Sequence, residues 1–223
     1  MTISLEDIGV LFDLDGTLVD SSEDLIQALK LALGEHKVSY QIPENIKRSI
    51  SLGSKGMLKK CIQQALDEEQ VEKLQQSMLQ HYQQNNGEKT KCFTGMNKLL
   101  GWLEQQAIPW GVVTNKQARF ARPLMQTLNL NEQTVISVDT CMTAKPHPEP
   151  MLLAAQHIQR RPTHIFYLGD DLRDIQAANA SGMQSVAVTW GFHAEETDFN
   201  TWPKNHIIDS PEQLIDLIKN YTN

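Results

Sequence analysis

Short apolar runs, each followed by polar residues, recur along most of the chain. The first run covers residues 8–12, shows no apolar–polar alternation and stops at Asp13. Similar runs stand at 110–114, 134–138, 164–169 and 185–189, with a weaker one at 206–208. An unalternating run of this length is typical of a strand buried on both faces of a parallel sheet. The pattern therefore predicts five such strands and a weaker sixth.

Helical spacing fills the intervals between these predicted strands. Apolar residues recur every three or four positions within 96–103, 120–128, 152–158 and 210–218. The last segment opens with Ser210, Pro211 and Glu212, a combination typical of a helix N-terminus. Strands that alternate with helices favour βαβ units. We therefore predict an α/β fold with a doubly wound parallel sheet.

Residues 20–87 do not follow this alternation of strands and helices, because they contain no strand candidate. Helical spacing predicts one helix at 25–33, a second at 58–66 and a third at 71–82. The Asn-Asn-Gly run at 85–87 is a strong helix stop signal. We predict an all-helical domain at 20–87 inserted after the first strand, with 1–19 and 88–223 forming the α/β core.

Composition and charge narrow the class of protein. The 223 residues include 20 Lys and Arg against 27 Asp and Glu, for a net charge of −7. An acidic chain argues against nucleic-acid binding, and no apolar run reaches the ~18–20 residues of a membrane span. Acids at 6 and 7 stand where a signal peptide is basic, and three widely spaced cysteines are typical of reduced thiols. We expect a cytoplasmic protein without nucleic-acid or membrane partners.

Acidic residues gather where the predicted strands end. Five carboxylates follow two of the strands: Asp13, Asp15, Asp170, Asp171 and Asp174. The carboxyl ends of parallel strands meet at one edge, where such sheets bind ligands. Crowded carboxylates repel one another, and a divalent cation with oxygen ligands relieves that repulsion; Mg²⁺ is the usual ion where phosphate also binds. Thr114, Asn115 and Lys145, at the other strand ends, are suitable donors to phosphate oxygens.

Four segments, in this order, resemble the four motifs of the haloacid dehalogenase-like phosphatases. They are FDLDGTLVDS at 12–21, VTNK at 113–116, KP at 145–146 and GDDLRD at 169–174. The helical insertion resembles the small cap that one branch of the family places after the first motif. The resemblance covers essentially the whole chain. It implies a phosphatase with a Rossmann-like catalytic core at 1–19 and 88–223 and a helical cap at 20–87.

The resemblance also assigns roles to single residues. Asp13 would be the nucleophile that forms an aspartyl-phosphate. Asp15 would be the general acid that protonates the leaving alcohol and then the base that activates water. Lys145 would screen the charge around the nucleophile, and Thr114 and the amide nitrogen of Asn115 would contact the phosphoryl oxygens.

The family's metal site carries over in the same way. The side chains of Asp13 and Asp170 and the main-chain carbonyl of Asp15 would bind Mg²⁺. Asp171 and Asp174 would either hold metal-bound waters or position the lysine of the third motif.

Substrate contacts in the helical insertion are predicted at Gly53, Ser54 and Lys55. These residues belong to a small-residue loop that opens the second predicted helix, where main-chain amides can hold an anion. Lys55 could add a positive charge for a substrate carboxylate. The alternative is a flexible hinge with a solvated lysine.

Within the family, the chain resembles both the phosphoglycolate phosphatase group and the N-acetylmuramic acid 6-phosphate phosphatases. The DLRD sequence at 171–174 and the compact cap favour the second of these groups. Both substrates carry a phosphate monoester and a carboxylate, so we expect a small, carboxylated phosphorylated metabolite. A phosphosugar mutase uses the same core motifs and stays open. A receiver-like phosphoacceptor is disfavoured because receivers are shorter and lack the insertion. A monomer or weak homodimer is the default.

Overall fold

The computed structural model describes residues 3–130, 134–192 and 198–222, and these form two compact units. The first unit comprises the described parts of Met1–Asp20, Cys92–Gly191 and Asp198–Asn223. The second comprises Ser21–Lys91 together with Phe192. The sequence prediction placed the corresponding division at 20–87.

Six parallel strands form the main sheet. The strands of the chain are β1 (Gly9–Phe12), β2 (Val19–Asp20), β3 (Lys91–Cys92), β4 (Trp110–Val113), β5 (Val135–Ile136), β6 (Ile165–Gly169), β7 (Gln184–Val188) and β8 (His206–Ile208). The order across the main sheet is β5-β4-β1-β6-β7-β8, and β2 and β3 form a separate two-stranded sheet. The six strands of the main sheet are those that the apolar runs predict.

The described residues contain eight α-helices in addition to the strands. They are α1 (Ser22–Glu35), α2 (Gly53–Cys61), α3 (Glu68–Asn85), α4 (Met96–Gln105), α5 (Ala118–Thr127), α6 (Glu149–His157), α7 (Leu172–Ala180) and α8 (Gln213–Thr222). The first three belong to the second unit, and the other five to the first. Over the described ranges, no helix has both the length and the hydropathy needed to cross a bilayer.

Two apolar cores cover opposite faces of the main sheet. Val10 and Phe12 of β1 belong to one core, with residues of α4, α5 and α8, whereas Leu11 belongs to the other, with residues of α6 and α7. This alternation follows from the strand geometry, in which successive side chains point to opposite faces. Because both faces are covered by helices, the prediction of a doubly wound α/β fold is confirmed.

The register of the sheet aligns the carboxyl ends of its central strands. Phe12 of β1 lies opposite Val112 of β4 on one side and Leu168 of β6 on the other. Residues that follow these strands therefore leave the sheet at one edge. The register places the chain after Phe12, the start of the 114–116 segment and Asp170 at that edge.

The second unit is helical, but its second helix is shorter than predicted. Helix α2 ends at Cys61 rather than at 66. Ile62 instead forms an antiparallel bridge with Tyr40, and the main chain of Gln63 donates a 3.0 Å hydrogen bond to the Ser39 carbonyl. The helical spacing of apolar residues continues past this point in the sequence, but pairing with the 39–41 segment replaces the helix.

The last helix begins later than its sequence signals indicate. Helix α8 starts at Gln213, and the Gln213 amide donates to the Ser210 carbonyl at 3.2 Å. Residues 210–212 thus form a turn ahead of the helix. The Gln213 side chain, which accepts a 2.8 Å hydrogen bond from the Asp209 amide, stabilises this turn.

Candidate active site

The turn after β1 carries the first two acidic residues of the site. The Asp13 amide donates to the Leu168 carbonyl at 2.8 Å, which ties the start of the turn to β6. Gly16 has a φ of +89°, and a Cβ there would lie 2.3 Å from Asp170 Oδ2. Both the left-handed backbone and the close approach to Asp170 require glycine. The Asp-Gly pair thus lets the turn pass directly over the acidic residue that follows β6.

Lys145 is buried at the centre of the site. Its Nζ lies 2.8 Å from Asp13 Oδ1, 2.7 Å from Asp174 Oδ1 and 2.8 Å from the Tyr167 hydroxyl. The Val113 carbonyl is 2.9 Å from the same nitrogen, and it also accepts a 2.8 Å hydrogen bond from the Tyr167 hydroxyl. An ammonium has three hydrogens. Two carboxylates and a tyrosine oxygen therefore suffice to hold Lys145 in one orientation.

The ionisable side chains of this cluster shift one another's pKa values. Burial raises the pKa of Asp13 to about 7, against the opposing effect of Lys145 and with added repulsion from Asp174. Burial alone would lower the pKa of Lys145, but Asp13 and Asp174 outweigh it and raise the value. Burial and the two carboxylates raise the pKa of Tyr167 well above its usual range. Lys145 is therefore an ammonium, and Tyr167 a neutral hydroxyl, across the physiological range.

Three carboxylates lie close enough together to share one cation. Oxygens of Asp13, Asp170 and Asp174 lie within 4.8 Å of one another. Asp170 and Asp174 are buried, and Asp170 Oδ1 accepts a 3.1 Å hydrogen bond from the Thr17 hydroxyl. An all-oxygen, anionic donor set suits a hard divalent ion such as Mg²⁺. The cluster contains both side chains predicted as metal ligands and adds Asp174.

The two remaining acids of the fourth motif have different surroundings. Asp174 contacts Lys145 directly, and its Oδ2 accepts a 3.1 Å hydrogen bond from the Asp171 amide. The Asp171 carboxylate caps α7 by accepting from the Arg173 amide at 2.9 Å. It also forms an ion pair with the Arg173 guanidinium at 2.8 Å, and this pair lowers the pKa of Asp171 in spite of its burial. The side chain of Asp171 is thus directed at Arg173, whereas Asp174 positions Lys145.

The segment after β4 supplies the expected phosphate donors. Thr114 is buried at the strand end, and its hydroxyl oxygen accepts a 3.1 Å hydrogen bond from the Lys116 amide. The Asn115 side chain donates to the Lys145 carbonyl and accepts from the Lys145 amide, each at 3.0 Å. Asn115 therefore fixes the Lys145 backbone with its side chain. A contact from Asn115 to phosphate would come from its main-chain amide.

Two residues of the site have no role in the sequence prediction. Tyr167 lies inside β6, and its place in an apolar run predicts only an ordinary core residue of a buried strand. Lys116 stands directly after Asn115, and its Nζ lies 2.8 Å and 3.1 Å from the two carboxylate oxygens of Asp15. The sequence does contain a signal for Lys116, because it directly follows a candidate phosphate-binding pair at a strand end.

The three candidates in the helical insertion belong to the second unit. Gly53, Ser54 and Lys55 form the first turn of α2 in the second unit, and not a loop ahead of the helix as predicted. The Ser54 hydroxyl accepts a 2.8 Å hydrogen bond from Gln75, and Lys55 Nζ lies 3.7 Å from a Glu72 carboxylate oxygen. Their part in substrate binding stays a prediction.

The doubly wound sheet has an acid–lysine cluster at its carboxyl edge, which is where α/β proteins of this type bind their ligands. Residues 10–188 match the family model of the haloacid dehalogenase-like hydrolases. The chain belongs to this family. The resemblance drawn from the four motifs is confirmed, and so is the prediction of a hydrolytic enzyme.

Curated relatives agree with this assignment, and a solved structure shares the fold. The chain is 36% identical over 214 residues to N-acetylmuramic acid 6-phosphate phosphatase of Pseudomonas aeruginosa, covering 94% of this chain and 93% of that protein. It is also 36% identical over 207 residues to phosphoglycolate phosphatase of Xanthomonas campestris, covering 92% and 93%. The crystal structure of a predicted phosphoglycolate phosphatase from Haemophilus somnus shares the fold, with a TM-score of 0.84 at 23% identity and coverage of 94% and 96%.

Proposed function

We propose that this protein is a Mg²⁺-dependent phosphomonoesterase that hydrolyses a small, carboxylate-bearing metabolite through an aspartyl-phosphate. The observation that carries the proposal is the contact between Asp13 and Lys145, with Asp170 and Asp174 close by. A carboxylate is a weak nucleophile toward an anionic phosphate ester, because the two groups repel each other. The buried ammonium of Lys145, together with a cation held by the acidic cluster, would reduce that repulsion.

The reaction divides into two displacements. In the first, an Asp13 oxygen forms a bond to phosphorus, the ester P–O bond breaks, and Asp15 gives its proton to the departing alcohol. In the second, a water molecule gives a proton to Asp15 and its oxygen attacks phosphorus. The bond between phosphorus and Asp13 then breaks, which releases inorganic phosphate and restores both carboxyl groups to their starting states.

The described residues also suit the cation that this chemistry needs. Asp13 and Asp170 would hold Mg²⁺ through carboxylate oxygens, and Asp15 through its main-chain carbonyl. Asp174, whose Oδ1 accepts from Lys145, would support the site from beside the ion. Bound there, Mg²⁺ supplies charge neutralisation for the transferring phosphoryl group. Lys145 keeps the nucleophile oriented by its contact with Asp13, and Thr114 and the Asn115 amide would receive the phosphoryl oxygens.

The relatives support a carboxylated substrate. One is named for N-acetylmuramic acid 6-phosphate and another for phosphoglycolate, and each of these compounds carries a phosphate monoester and a carboxylate. The sequence identity to the two relatives is equal and favours neither compound, whereas the DLRD sequence at 171–174 favours the muramate ester.

The test measures inorganic phosphate released by the purified protein from each compound, with Mg²⁺ and with EDTA. We expect Mg²⁺-dependent release, and Asp13→Asn should lower kcat by at least ~10³-fold because the nucleophile is lost. Net phosphate release separates a phosphatase from a mutase, which returns the phosphoryl group to a sugar. A kcat/KM for 2-phosphoglycolate tenfold above that for the muramate ester would contradict the muramate preference. Full activity of Asp13→Asn would overturn the mechanism.

A further inference from the structure

Lys116 holds both oxygens of the Asp15 carboxylate. The two distances from its Nζ are 2.8 Å and 3.1 Å. The side chains are largely shielded from solvent, with exposed fractions of 9% for Lys116 and 17% for Asp15. An ion pair with so little solvent around it is stronger and more directional than one at the surface. The pair is therefore a candidate for a defined role in the site.

The backbone of Lys116 is fixed at the edge of the sheet. Its amide donates to the Thr114 hydroxyl at 3.1 Å, and its carbonyl accepts from the Val138 amide at 3.2 Å. The ammonium thus extends from a backbone bonded to two neighbours. Asp15 lies in the turn between β1 and β2, where it forms a bridge with Val19.

The segment 114–116 consequently has two roles in the site. Residues 114 and 115 are the expected donors to the phosphoryl group. Residue 116 holds the carboxyl group that, once protonated, is expected to give its proton to the leaving oxygen. General acid catalysis needs the acid within hydrogen-bond reach of that oxygen. A lysine anchored to the phosphate-binding segment links the position of the acid to that of the phosphoryl group.

We propose that Lys116 is a positioning residue for Asp15, which directs this carboxyl group at the leaving-group oxygen during phosphoryl transfer. The proposal rests on the phosphatase function given above. Its consequence is a dependence on the leaving group. An alkyl ester needs a well-placed acid, whereas p-nitrophenyl phosphate, whose leaving group is a stable anion, needs it much less.

The experiment compares kcat/KM for an alkyl phosphate monoester with that for p-nitrophenyl phosphate, in wild type, Lys116→Met and Lys116→Arg. The quantity kcat/KM reports the steps up to the first irreversible one, and so the release of the alcohol rather than the later attack of water. For Lys116→Met we expect a loss of about 100-fold with the alkyl ester and a loss of less than about fivefold with p-nitrophenyl phosphate. Lys116→Arg should recover most of the alkyl-ester activity, because it restores the positive charge.

Two further measurements separate positioning from other roles. The inhibition constant of inorganic phosphate should stay within about twofold in Lys116→Met, and Lys116→Met should add little to the loss caused by Asp15→Asn, since coupled residues are not additive. Lys98→Met, on the exposed face of α4, is the matched control. Equal losses with both esters, or a large rise in the phosphate inhibition constant, would overturn the role of Lys116. Absence of phosphate release by the wild type would instead overturn the phosphatase function itself.

Discussion

At the scale of single residues, the Tyr167 hydroxyl helps to hold Lys145 in place, and removing this hydroxyl tests that contribution. It accepts from the lysine and donates to the Val113 carbonyl, so it links the ammonium to the backbone of β4. In Tyr167→Phe the lysine still has the Val113 carbonyl at 2.9 Å as a substitute acceptor. We therefore expect a moderate loss, about 3- to 10-fold in kcat with KM nearly unchanged, because the nucleophile's partner is slightly misplaced.

Steady-state kinetics with a phosphate ester and saturating Mg²⁺ check this expectation. Tyr221→Phe serves as the control, because the Tyr221 hydroxyl also donates to a backbone carbonyl, that of Thr163, at 3.0 Å and outside the acidic cluster. A rise in KM at constant kcat would show that the Tyr167 hydroxyl acts on substrate binding rather than on Lys145.

At the scale of elements, a buried carboxylate in α1 holds the segment that follows α3. Asp24 accepts hydrogen bonds from the amides of Gly87, Lys89 and Thr90 at 3.1, 2.9 and 3.0 Å, and a fourth from the Thr90 hydroxyl at 2.6 Å. Within the second unit, Asp24 thus joins the start of α1 to residues 87–90.

Asp24→Asn should loosen this segment. The substitution replaces one acceptor oxygen with an NH₂ group that faces amide donors, and it removes the charge. We expect a loss of about 1.5–3 kcal/mol in local stability, the range for hydrogen bonds to a charged group. Amide hydrogen exchange at 87–90 measures it directly. Glu23→Gln, at an exposed position of the same turn, is the control, and unchanged protection in Asp24→Asn would contradict the expectation.

The secondary-structure elements differ in how well the local sequence predicts them. The strands of the main sheet are predictable because each is a short, continuous apolar run whose burial on both faces follows from its composition. The end of α2 is not, because Ile62 keeps the helical spacing while its backbone pairs with Tyr40. That choice depends on a partner 22 residues away and is decided by tertiary contact.

At the scale of the whole molecule, the buried acidic cluster makes the free energy of unfolding depend on pH. The ordinary pKa of an aspartate is 3.8, and burial raises that of Asp13 to about 7. Between these values the folded protein keeps a proton that the unfolded chain has lost. The folded state then binds more protons, so the free energy of unfolding falls as pH rises through this range.

Thermal melting across this range tests the coupling. In EDTA, the Tm of wild type should decline from pH 4 to pH 7 more steeply than that of Asp13→Asn, which lacks the titrating group. Mg²⁺ should raise the wild-type Tm more at pH 7.5 than at pH 5, because it replaces the proton. A difference of a few °C is expected, since about 1 kcal/mol shifts Tm by roughly 2–4 °C in a protein of this size. Parallel pH profiles for the two proteins in EDTA would contradict the raised pKa of Asp13, and an equal effect of Mg²⁺ at both pH values would contradict a metal at Asp13.

The sequence by itself determined the α/β architecture, the helical insertion and the acids at the strand ends. Each of these depends on a local pattern: an apolar period, a turn residue, or a carboxylate next to a strand. Asp13, Asp170 and Lys145 could be placed at one edge because parallel strands share that edge.

Only the tertiary structure decided which partners these residues meet. Lys116 and Asp15 are 101 positions apart, and Tyr167 and Lys145 are 22 apart. Their contacts follow from the strand order, which places β1 between β4 and β6, and from the register that aligns the strand ends. Neither order nor register is encoded in any single segment, because both arise from packing all the strands and helices at once.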